Sequence, residues 1–363
     1  MKLSVPDYIL AIRSYVPGKP LPELKREYGI EDAIKLASNE NPLGPSPRAV
    51  AAIQSALGQL HRYPDGGGFE LTHRLAEKLR VAPENIVLGN GSDEIIGMLT
   101  QVLLRPGDQA LMPWPSFSMY DITARCAGAT PVGVPLKAQA LDLRDVQKQI
   151  TPSTRMIFLN NPHNPTGTII FRDALDDFIE TLPAPIVVVL DEAYIEFVRD
   201  SRCPRSLDYL DSGKAVAGLR TFSKAYGLAG LRIGYGVMPP DLAELLHRIR
   251  MPFNANSLAQ TAAMAALTDE AFLNRTLELV HTGLDFMYQA LDQLGVQYWR
   301  SQANFFLIDL GRSADEVFEA LLAQGVIVRS MTSYGLPDCI RVNVGLPDEN
   351  RRLIESLKKV LGV

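Results

Sequence analysis

The sequence contains few of the residues from which disulfide frameworks and metal sites are built. Its 363 residues include three cysteines and five histidines. The cysteines, Cys126, Cys203 and Cys339, are odd in number and widely spaced, which does not fit a disulfide framework. No CxxC pair and no His/Cys cluster with metal-ligand spacing occurs in the sequence. We therefore expect neither disulfides nor a metal site.

The chain also lacks an excess of basic residues and a long apolar run. It has 36 Lys and Arg against 41 Asp and Glu, so no basic surface for nucleic acid or an acidic membrane is expected. The longest aliphatic run, 186–190, is far shorter than the roughly 20 residues that span a bilayer. Pro6 and Asp7 interrupt the apolar stretch near the N-terminus, which disfavours a signal peptide. These absences predict a soluble, cytoplasmic protein.

The hydrophobic pattern predicts an α/β fold followed by a smaller α+β unit. Between about residues 85 and 237, short runs rich in Ile, Val and Leu alternate with amphipathic stretches, as in a mostly parallel sheet covered by helices on both faces. The predicted strands are 86–89, 109–112, 156–159, 186–190, 215–219 and 233–237, with helices at 49–60, 93–104 and 172–181 among them.

The pattern changes after about residue 252. The later segments are a long helix at 259–294, a strand at 305–309, a helix at 314–324, strands at 326–329 and 340–344, and a closing helix at 349–361. A chain of this length is expected to form about two domains. We predict an N-terminal arm that contributes to the small domain (1–40), a large domain (41–252) and a small C-terminal domain (253–363).

A single lysine, Lys224, lies among small and hydroxyl-bearing residues between two predicted strands. A lysine that acts as a nucleophile must be partly desolvated to lower its pKa, and small neighbours let a planar cofactor approach the backbone. A solvated loop lysine is the alternative interpretation of this segment.

An acidic residue, Asp191, ends the apolar strand predicted at 186–190. In open α/β sheets, ligands bind beyond the carboxyl ends of the strands. An aspartate at that place could keep the ring nitrogen of a pyridine cofactor protonated. The same residue could instead cap a helix or bind a metal.

Two turns that follow predicted strands offer groups to a cofactor. Gly91, Ser92 and Asp93 lie in a glycine-rich turn before a helix, where free amides and the helix dipole attract phosphate. This turn matches neither GxGxxG nor GxxxxGK[ST]. Further on, two Asn-Pro steps predict a rigid turn that would present the amide of Asn164. An ordinary capped helix and a structural turn are the alternatives.

One aromatic residue and three arginines complete the set. Phe117 follows a predicted strand, and its ring could stack on a flat cofactor, although core aromatics are commoner. Arg232 lies beyond Lys224, and Arg329 and Arg341 follow or lie in short apolar strands. A guanidinium group binds carboxylate or phosphate through two parallel hydrogen bonds. A surface ion pair is the alternative for each arginine.

Taken in order, these elements resemble the fold-type I pyridoxal-phosphate (PLP) aminotransferases, and the histidinol-phosphate aminotransferases among them. The shared order is a Gly-Ser-Asp turn, an aromatic residue, Asn-Pro-Thr-Gly, Asp-x-x-Tyr, Ser-Lys and Arg, and it extends over almost the whole chain. Further similar segments are SYVPGKP at 14–20, LASNENP at 36–42, RYPD at 62–65, PFNANS at 252–257, NFF at 304–306 and IRVNVG at 340–345. The resemblance implies PLP as cofactor and a large α/β/α domain with a smaller α+β domain.

The resemblance also implies roles for the matching positions. Lys224 would hold the cofactor as a Schiff base and then transfer the substrate proton, while Asp191 would pair with the pyridine nitrogen. Tyr194 and Asn164 would hydrogen-bond the phenolic oxygen, and Phe117, where many relatives carry tyrosine, would stack on the ring. The phosphate would be held by Gly91, Ser92, Asp93, Thr221, Ser223 and Arg232.

The remaining implied roles concern a second subunit and the substrate. Tyr63 would reach the phosphate of the neighbouring subunit, which implies a homodimer with shared active sites. Arg341, with Arg329, would bind the acidic group of the substrate, and Tyr15 and Asn39 would line the pocket. The implied reaction interconverts histidinol phosphate plus 2-oxoglutarate and imidazole-acetol phosphate plus glutamate, as in histidine biosynthesis.

Other functions are compatible with the same core residues. An aminotransferase for aromatic amino acids is one, because imidazole and phenyl rings are both flat and small. A PLP-dependent decarboxylase of threonine phosphate is another. A catalytically silent sensor domain of a transcription regulator is disfavoured because Lys224 and Asp191 are present and no basic helix-turn-helix extension precedes the arm.

Overall fold

The computed structural model describes residues 4–15 and 18–362, without the side chains of residues 24 and 25. Parts of the predicted arm, including Val16 and Pro17 of one similar segment, lie outside the described residues. The strands are β1 (Ile34–Lys35), β2 (Ile86–Gly89), β3 (Gln109–Trp114), β4 (Thr130–Pro135), β5 (Thr154–Asn160), β6 (Val187–Asp191), β7 (Val216–Thr221), β8 (Gly234–Val237), β9 (Gln297–Tyr298), β10 (Phe305–Asp309), β11 (Val326–Ile327), β12 (Arg329–Ser330) and β13 (Cys339–Asn343).

The α-helices lie between these strands and cover the sheets. They are α1 (Asp7–Leu10), α2 (Leu21–Tyr28), α3 (Pro47–Ala56), α4 (Phe69–Leu79), α5 (Ser92–Leu103), α6 (Met119–Cys126), α7 (Leu143–Lys148), α8 (Arg172–Thr181), α9 (Pro240–Ile249), α10 (Ser257–Leu267), α11 (Glu270–Leu294), α12 (Ala314–Leu322) and α13 (Pro347–Leu361).

A seven-stranded sheet forms the centre of the molecule, in the order β2-β8-β7-β6-β5-β3-β4. β8 is antiparallel to both of its neighbours, and the other pairs are parallel. Along β6, Val187 and Val189 pack into the cluster of α5, α6 and α9, whereas Val188 and Leu190 pack into the cluster of α7 and α8. Both faces of β6 are therefore buried, which explains its unbroken apolar sequence. The predicted α/β class is confirmed.

The C-terminal part contains an antiparallel sheet in the order β12-β13-β10-β9. Helices α11, α12 and α13 supply apolar side chains to the core on this sheet. Strand β1, from the N-terminal part, pairs in parallel with β11. The first segment of the chain is thus attached to the last third, although the predicted domain boundaries stay a prediction.

Three sequence-based assignments are wrong in detail. Edge strand β4 was not predicted, because Pro131, Gly133 and Pro135 interrupt any strand pattern. Proline has no N–H to donate, and an edge strand tolerates this because it pairs with a neighbour on one side. The helix predicted at 259–294 is two helices, because Asp269 caps α11 by accepting the N–H of Phe272. The strand predicted at 326–329 is divided between β11 and β12, which belong to different sheets.

No helix in the described part of the chain is long and apolar enough to cross a membrane. The same residues contain no group of three or more His, Cys, Asp or Glu side chains that could hold a metal ion.

The loop that carries Lys224 is fixed by a close backbone contact at Gly227. This residue has φ +70°, and a Cβ atom there would lie 2.1 Å from the carbonyl oxygen of Gly44. A left-handed conformation costs a residue with a side chain roughly 1–2 kcal/mol, and the collision adds to that cost. The loop therefore requires glycine at this position.

We predict that Gly227→Ala lowers the melting temperature of the protein by at least ~3 °C, since a loss of 1 kcal/mol shifts the melting temperature by roughly 2–4 °C in proteins of this size class. Gly230→Ala is the matched control, because a Cβ atom at Gly230 would meet nothing within 4 Å. Differential scanning calorimetry of both variants measures the effect. Equal melting temperatures would contradict the steric argument.

Candidate active site

A cavity of about 270 Å³ lies where β5, β6 and β7 end. Most of the predicted site residues line this cavity, although they are far apart in sequence. They are Tyr15, Ser92, Asp93, Phe117, Asn164, Asp191, Tyr194, Thr221, Ser223, Lys224 and Arg232. The structure therefore brings the segments singled out in the sequence to one place.

Asp191 is a buried residue of the cavity lining. Its carboxylate accepts the hydroxyl of Tyr120 at 2.6 Å on Oδ2 and the backbone N–H of Ala193 at 3.1 Å on Oδ1. Burial raises the pKa of Asp191 to about 6, while these two hydrogen bonds act in the opposite direction. A buried carboxylate with unused lone pairs can accept a further hydrogen bond from a ligand.

Lys224 follows β7 and lines the same cavity. Its Nζ donates to the carbonyl oxygen of Ser38 at 3.2 Å and lies 5.7 Å from the centre of the Tyr194 ring. Burial, together with the nearby guanidinium of Arg341, lowers the pKa of Lys224 to about 8. A larger fraction of this amine is therefore uncharged and nucleophilic at neutral pH than for an ordinary lysine.

Tyr194 is held by Asn39, which itself has a left-handed backbone with φ 56°. The Asn39 side chain donates to the Tyr194 hydroxyl at 3.0 Å. Asn343 accepts the Asn39 backbone N–H at 3.0 Å, and Asn304 donates to the Asn39 carbonyl at 3.1 Å. Burial raises the pKa of Tyr194 to about 12, so the hydroxyl stays protonated and can donate to a ligand oxygen.

A second group of lining residues offers hydrogen-bond donors for an anion. Ser92 is the first residue of α5, whose N-terminal N–H groups have no partners within the helix. Arg232 lies against it, with a hydrogen bond to Ser223 at 3.4 Å and an ion pair to Asp93 at 3.4 Å. A Cβ atom on Gly91 would lie 2.7 Å from the Arg232 guanidinium, so glycine permits this approach. Thr221 accepts the Ser223 N–H.

Arg341 approaches the cavity from the antiparallel sheet and is only 8% exposed. It donates to Asn164 Oδ1 at 2.6 Å and to the Ala37 carbonyl at 2.8 Å, and it lies over the Phe305 ring at 5.2 Å. Among the described atoms, its Nε has no hydrogen-bond partner. Because Asn164 uses Oδ1 for Arg341, its Nδ2 group is the part that could donate to a cofactor.

Five predicted residues do not line this cavity: Gly91, Asn39 and Arg341, which contact its lining residues, and Arg329 and Tyr63. Arg329 faces Arg341 across the β12–β13 pair and lines a neighbouring cavity of about 570 Å³. Tyr15 borders both cavities and thereby connects them. Tyr63 is 82% exposed and stacks on Phe253 with ring centres 4.7 Å apart. Within a single chain, the structure does not bring Tyr63 to the site.

The sequence analysis missed Tyr120, whose hydroxyl holds Asp191. Its segment had been noted, but only Phe117 was given a role. Helix α6 begins at Met119, and the Tyr120 N–H donates to the Phe117 carbonyl at 3.2 Å, which brings the two ring centres to 5.6 Å from each other. Recognising that helix would have pointed to Tyr120.

A larger cavity of about 700 Å³ lies elsewhere, between α11, the start of α13 and residues 43–47. None of the predicted site residues lines it, and it contains no lysine. The smaller cavity combines a buried carboxylate, an amine with a lowered pKa and an anion-binding end. It is therefore the better site for catalysis.

Comparison with known proteins identifies the family. The sequence model of aminotransferase class I and II matches residues 31–357. The chain is 47% identical to histidinol-phosphate aminotransferase of Moorella thermoacetica, over 98% of this chain and 92% of that protein. It is 47% identical to histidinol-phosphate aminotransferase 2 of Pseudomonas fluorescens, over 96% of this chain and 94% of that protein.

A solved structure has the same fold. It is histidinol-phosphate aminotransferase from Sinorhizobium meliloti in complex with pyridoxal-5'-phosphate, with a TM-score of 0.90, 28% identity, and coverage of 98% of this chain and 96% of that chain. The fold, the arrangement of the site and the match over most of the chain agree. This protein belongs to the class I and II aminotransferases.

Proposed function

We propose that the chain is a PLP-dependent aminotransferase that interconverts histidinol phosphate plus 2-oxoglutarate and imidazole-acetol phosphate plus glutamate in histidine biosynthesis. The observation that carries the proposal is that Lys224, the buried Asp191 carboxylate and the anion-binding donors Ser92 and Arg232 line one cavity. The names of relatives that are 47% identical over nearly the full length support the substrate assignment.

The residues present fit PLP at both of its ends. A carboxylate at one end suits a protonated ring nitrogen, and serine, threonine and arginine donors at the other suit a phosphate. Gly91 leaves room that a Cβ atom would fill. When bound, PLP supplies an electron-withdrawing ring that stabilises negative charge on the substrate carbon.

The protein residues would divide the remaining work. Lys224 Nζ would hold the cofactor and later accept and return the proton of the substrate carbon, since its pKa of about 8 permits both. Asp191 would keep the ring nitrogen protonated. Tyr194 and Asn164 would donate hydrogen bonds to the ring oxygen. Phe117, on the cavity wall, would stack on the ring.

The substrates require a site that accepts two anions in turn. Transamination is a two-stage reaction, so glutamate and histidinol phosphate must use one pocket alternately. The partner-free Nε of buried Arg341 suits a carboxylate, and Arg329 in the adjoining cavity suits the more distant phosphate. Tyr15, at the border of the two cavities, would contact both substrates.

We also propose a cytoplasmic homodimer in which Tyr63 serves the site of the other subunit. Its large exposed ring stacks on the exposed ring of Phe253, and such an exposed apolar pair suits a contact with another subunit. The pairing of β1 with β11 supports the proposed division into residues 1–40 with 253–363 and a large domain at 41–252.

The first prediction from the proposed function concerns substrate preference. On the PLP-loaded protein, we expect histidinol phosphate to convert the cofactor to its amine form rapidly, as followed by absorbance, and L-phenylalanine to do so at least tenfold more slowly. The charge of the phosphate, which Arg329 would bind, is the reason. Lys224→Ala should abolish the conversion.

Other outcomes would change the assignment. Faster conversion with phenylalanine would favour an aromatic aminotransferase. Release of CO₂ from threonine phosphate would favour a decarboxylase. If the purified protein shows no PLP absorbance after incubation with PLP, the cofactor assignment is wrong.

The second prediction tests the shared site. Lys224→Ala and Tyr63→Ala are each expected to be nearly inactive as pure proteins. After co-refolding in equal amounts, roughly a quarter of wild-type activity should return, because half of the dimers would be mixed and one of their two sites would be intact. Absence of recovery, with mixed dimers present, would place Tyr63 outside the neighbouring site.

The third prediction concerns the cost of burying Lys224 in the cofactor-free protein. Its pKa is about 8 when folded against 10.5 when exposed, so between these pH values the unfolded chain binds the extra proton. Lys224→Met should therefore be more stable than wild type at pH 7, by on the order of 1 kcal/mol, and this advantage should shrink as the pH rises from 8 towards 10.5. Thermal melts at several pH values measure it.

The control is Lys359→Met, which replaces an exposed lysine in the last turn of α13. It should show no comparable gain at pH 7. A constant stability difference between Lys224→Met and wild type across this pH range would contradict the burial argument.

A further inference from the structure

The hydroxyl is the one polar group of the Tyr120 side chain, and it is hydrogen-bonded to Asp191. Tyr120 is fully buried, and its hydroxyl donates to Asp191 Oδ2 at 2.6 Å. A buried tyrosine hydroxyl needs a partner, and a charged acceptor gives a stronger hydrogen bond than a neutral one. The bond therefore stabilises the ionised form of Asp191.

The ring of Tyr120 is packed so that the hydroxyl has a fixed direction. It stacks on Phe158 with ring centres 4.5 Å apart and an interplanar angle of 8°. The Tyr120 and Phe117 rings form an edge-to-face contact, with ring centres 5.6 Å apart and an interplanar angle of 86°. Phe158 lies on β5 and Phe117 lines the cavity, so the ring connects the sheet to the proposed cofactor wall.

Asp191 needs such support because its surroundings disfavour its charge. Burial is the main cause that raises its pKa to about 6, and the nearby acids Asp93 and Glu192 act in the same direction. The hydrogen bonds from Tyr120 and from the Ala193 N–H oppose them. Tyr194 also interacts with this carboxylate.

We propose that Tyr120 is a positioning residue, whose hydroxyl orients the Asp191 carboxylate and keeps it ionised towards the ring nitrogen of the cofactor. Tyr120 also lines the cavity, but its hydroxyl is engaged by Asp191, so it would act through that carboxylate. The inference rests on the proposed PLP chemistry but not on the identity of the substrate. It extends the proposed role of Asp191 by identifying the side chain that orients its carboxylate.

The test uses Tyr120→Phe, which keeps the packed ring and removes the hydroxyl. We expect the affinity of the cofactor-free protein for PLP, measured by spectroscopic titration, to fall about tenfold near neutral pH, as loss of one charge-assisted hydrogen bond predicts. The pH below which affinity declines should rise by about one unit, because Asp191 would take up a proton more readily.

An analogue of PLP with carbon in place of the ring nitrogen separates positioning from a general structural effect. It offers Asp191 no N–H, so its affinity should differ by less than twofold between Tyr120→Phe and wild type. In an Asp191→Asn background, Tyr120→Phe should likewise add no more than about a twofold loss of PLP affinity, because the charge through which it acts is gone.

Tyr209→Phe is the matched control. The Tyr209 hydroxyl is also held at 2.6 Å by an aspartate, Asp176, and the residue is also buried, but neither side chain lines the cavity. This variant should bind PLP like wild type. A melting curve of each variant establishes that it is folded.

Two results would overturn the inference. If Tyr120→Phe binds PLP with wild-type affinity and pH dependence while wild type binds PLP, Tyr120 does not act on Asp191. Equal losses of affinity for PLP and for the carbon analogue would make Tyr120 a general structural residue. If wild type itself binds no PLP, the proposed function fails and this inference fails with it.

Discussion

A carboxylate removed from water at the end of a parallel strand is the constraint on which the site depends. Asp191 is 5% exposed, and a charged group in such a place must be hydrogen-bonded or become neutral. The fold meets this requirement from two sides, with the Tyr120 hydroxyl from α6 and the N–H of Ala193 from the turn after β6. Each element must pack correctly before the carboxylate is satisfied, so the central sheet and its helix layer determine the chemistry of the cavity.

Two adjacent buried acidic residues at the end of β6 have different surroundings. Asp191 borders the cavity, whereas the next residue, Glu192, is fully buried and pairs with Arg220 at 2.8 Å. Thr221, the residue after Arg220 on β7, lines the cavity. Alternation along neighbouring strands thus places polar groups for binding on one side and an internal ion pair on the other. Breaking such a buried pair is costly, because the remaining charge has no partner.

Much of this arrangement could be predicted from the sequence, since it depends on local pattern. The apolar runs gave the inner strands, and their ends gave Asp191 and the turn at Gly91. Edge strand β4 could not be found in this way, because two prolines and a glycine interrupt its apolar pattern, and an edge strand tolerates them. The bond from Arg341 to Asn164 joins residues 177 positions apart, and nothing local signals it. The Tyr120 contact was missed because the short helix α6 was not assigned.

The contacts of Asn39 also determine the order in which the site can be assembled. Its side chain holds Tyr194, and its backbone is held by Asn304 and Asn343, which are far along the chain. During synthesis the central sheet can be complete while both of these asparagines are still to be made. A nascent chain would then contain Lys224 and Asp191 without the support that fixes Tyr194. The support for Tyr194 is therefore complete only after Asn343, at the end of β13, has been made, so assembly of the cavity depends on the antiparallel sheet.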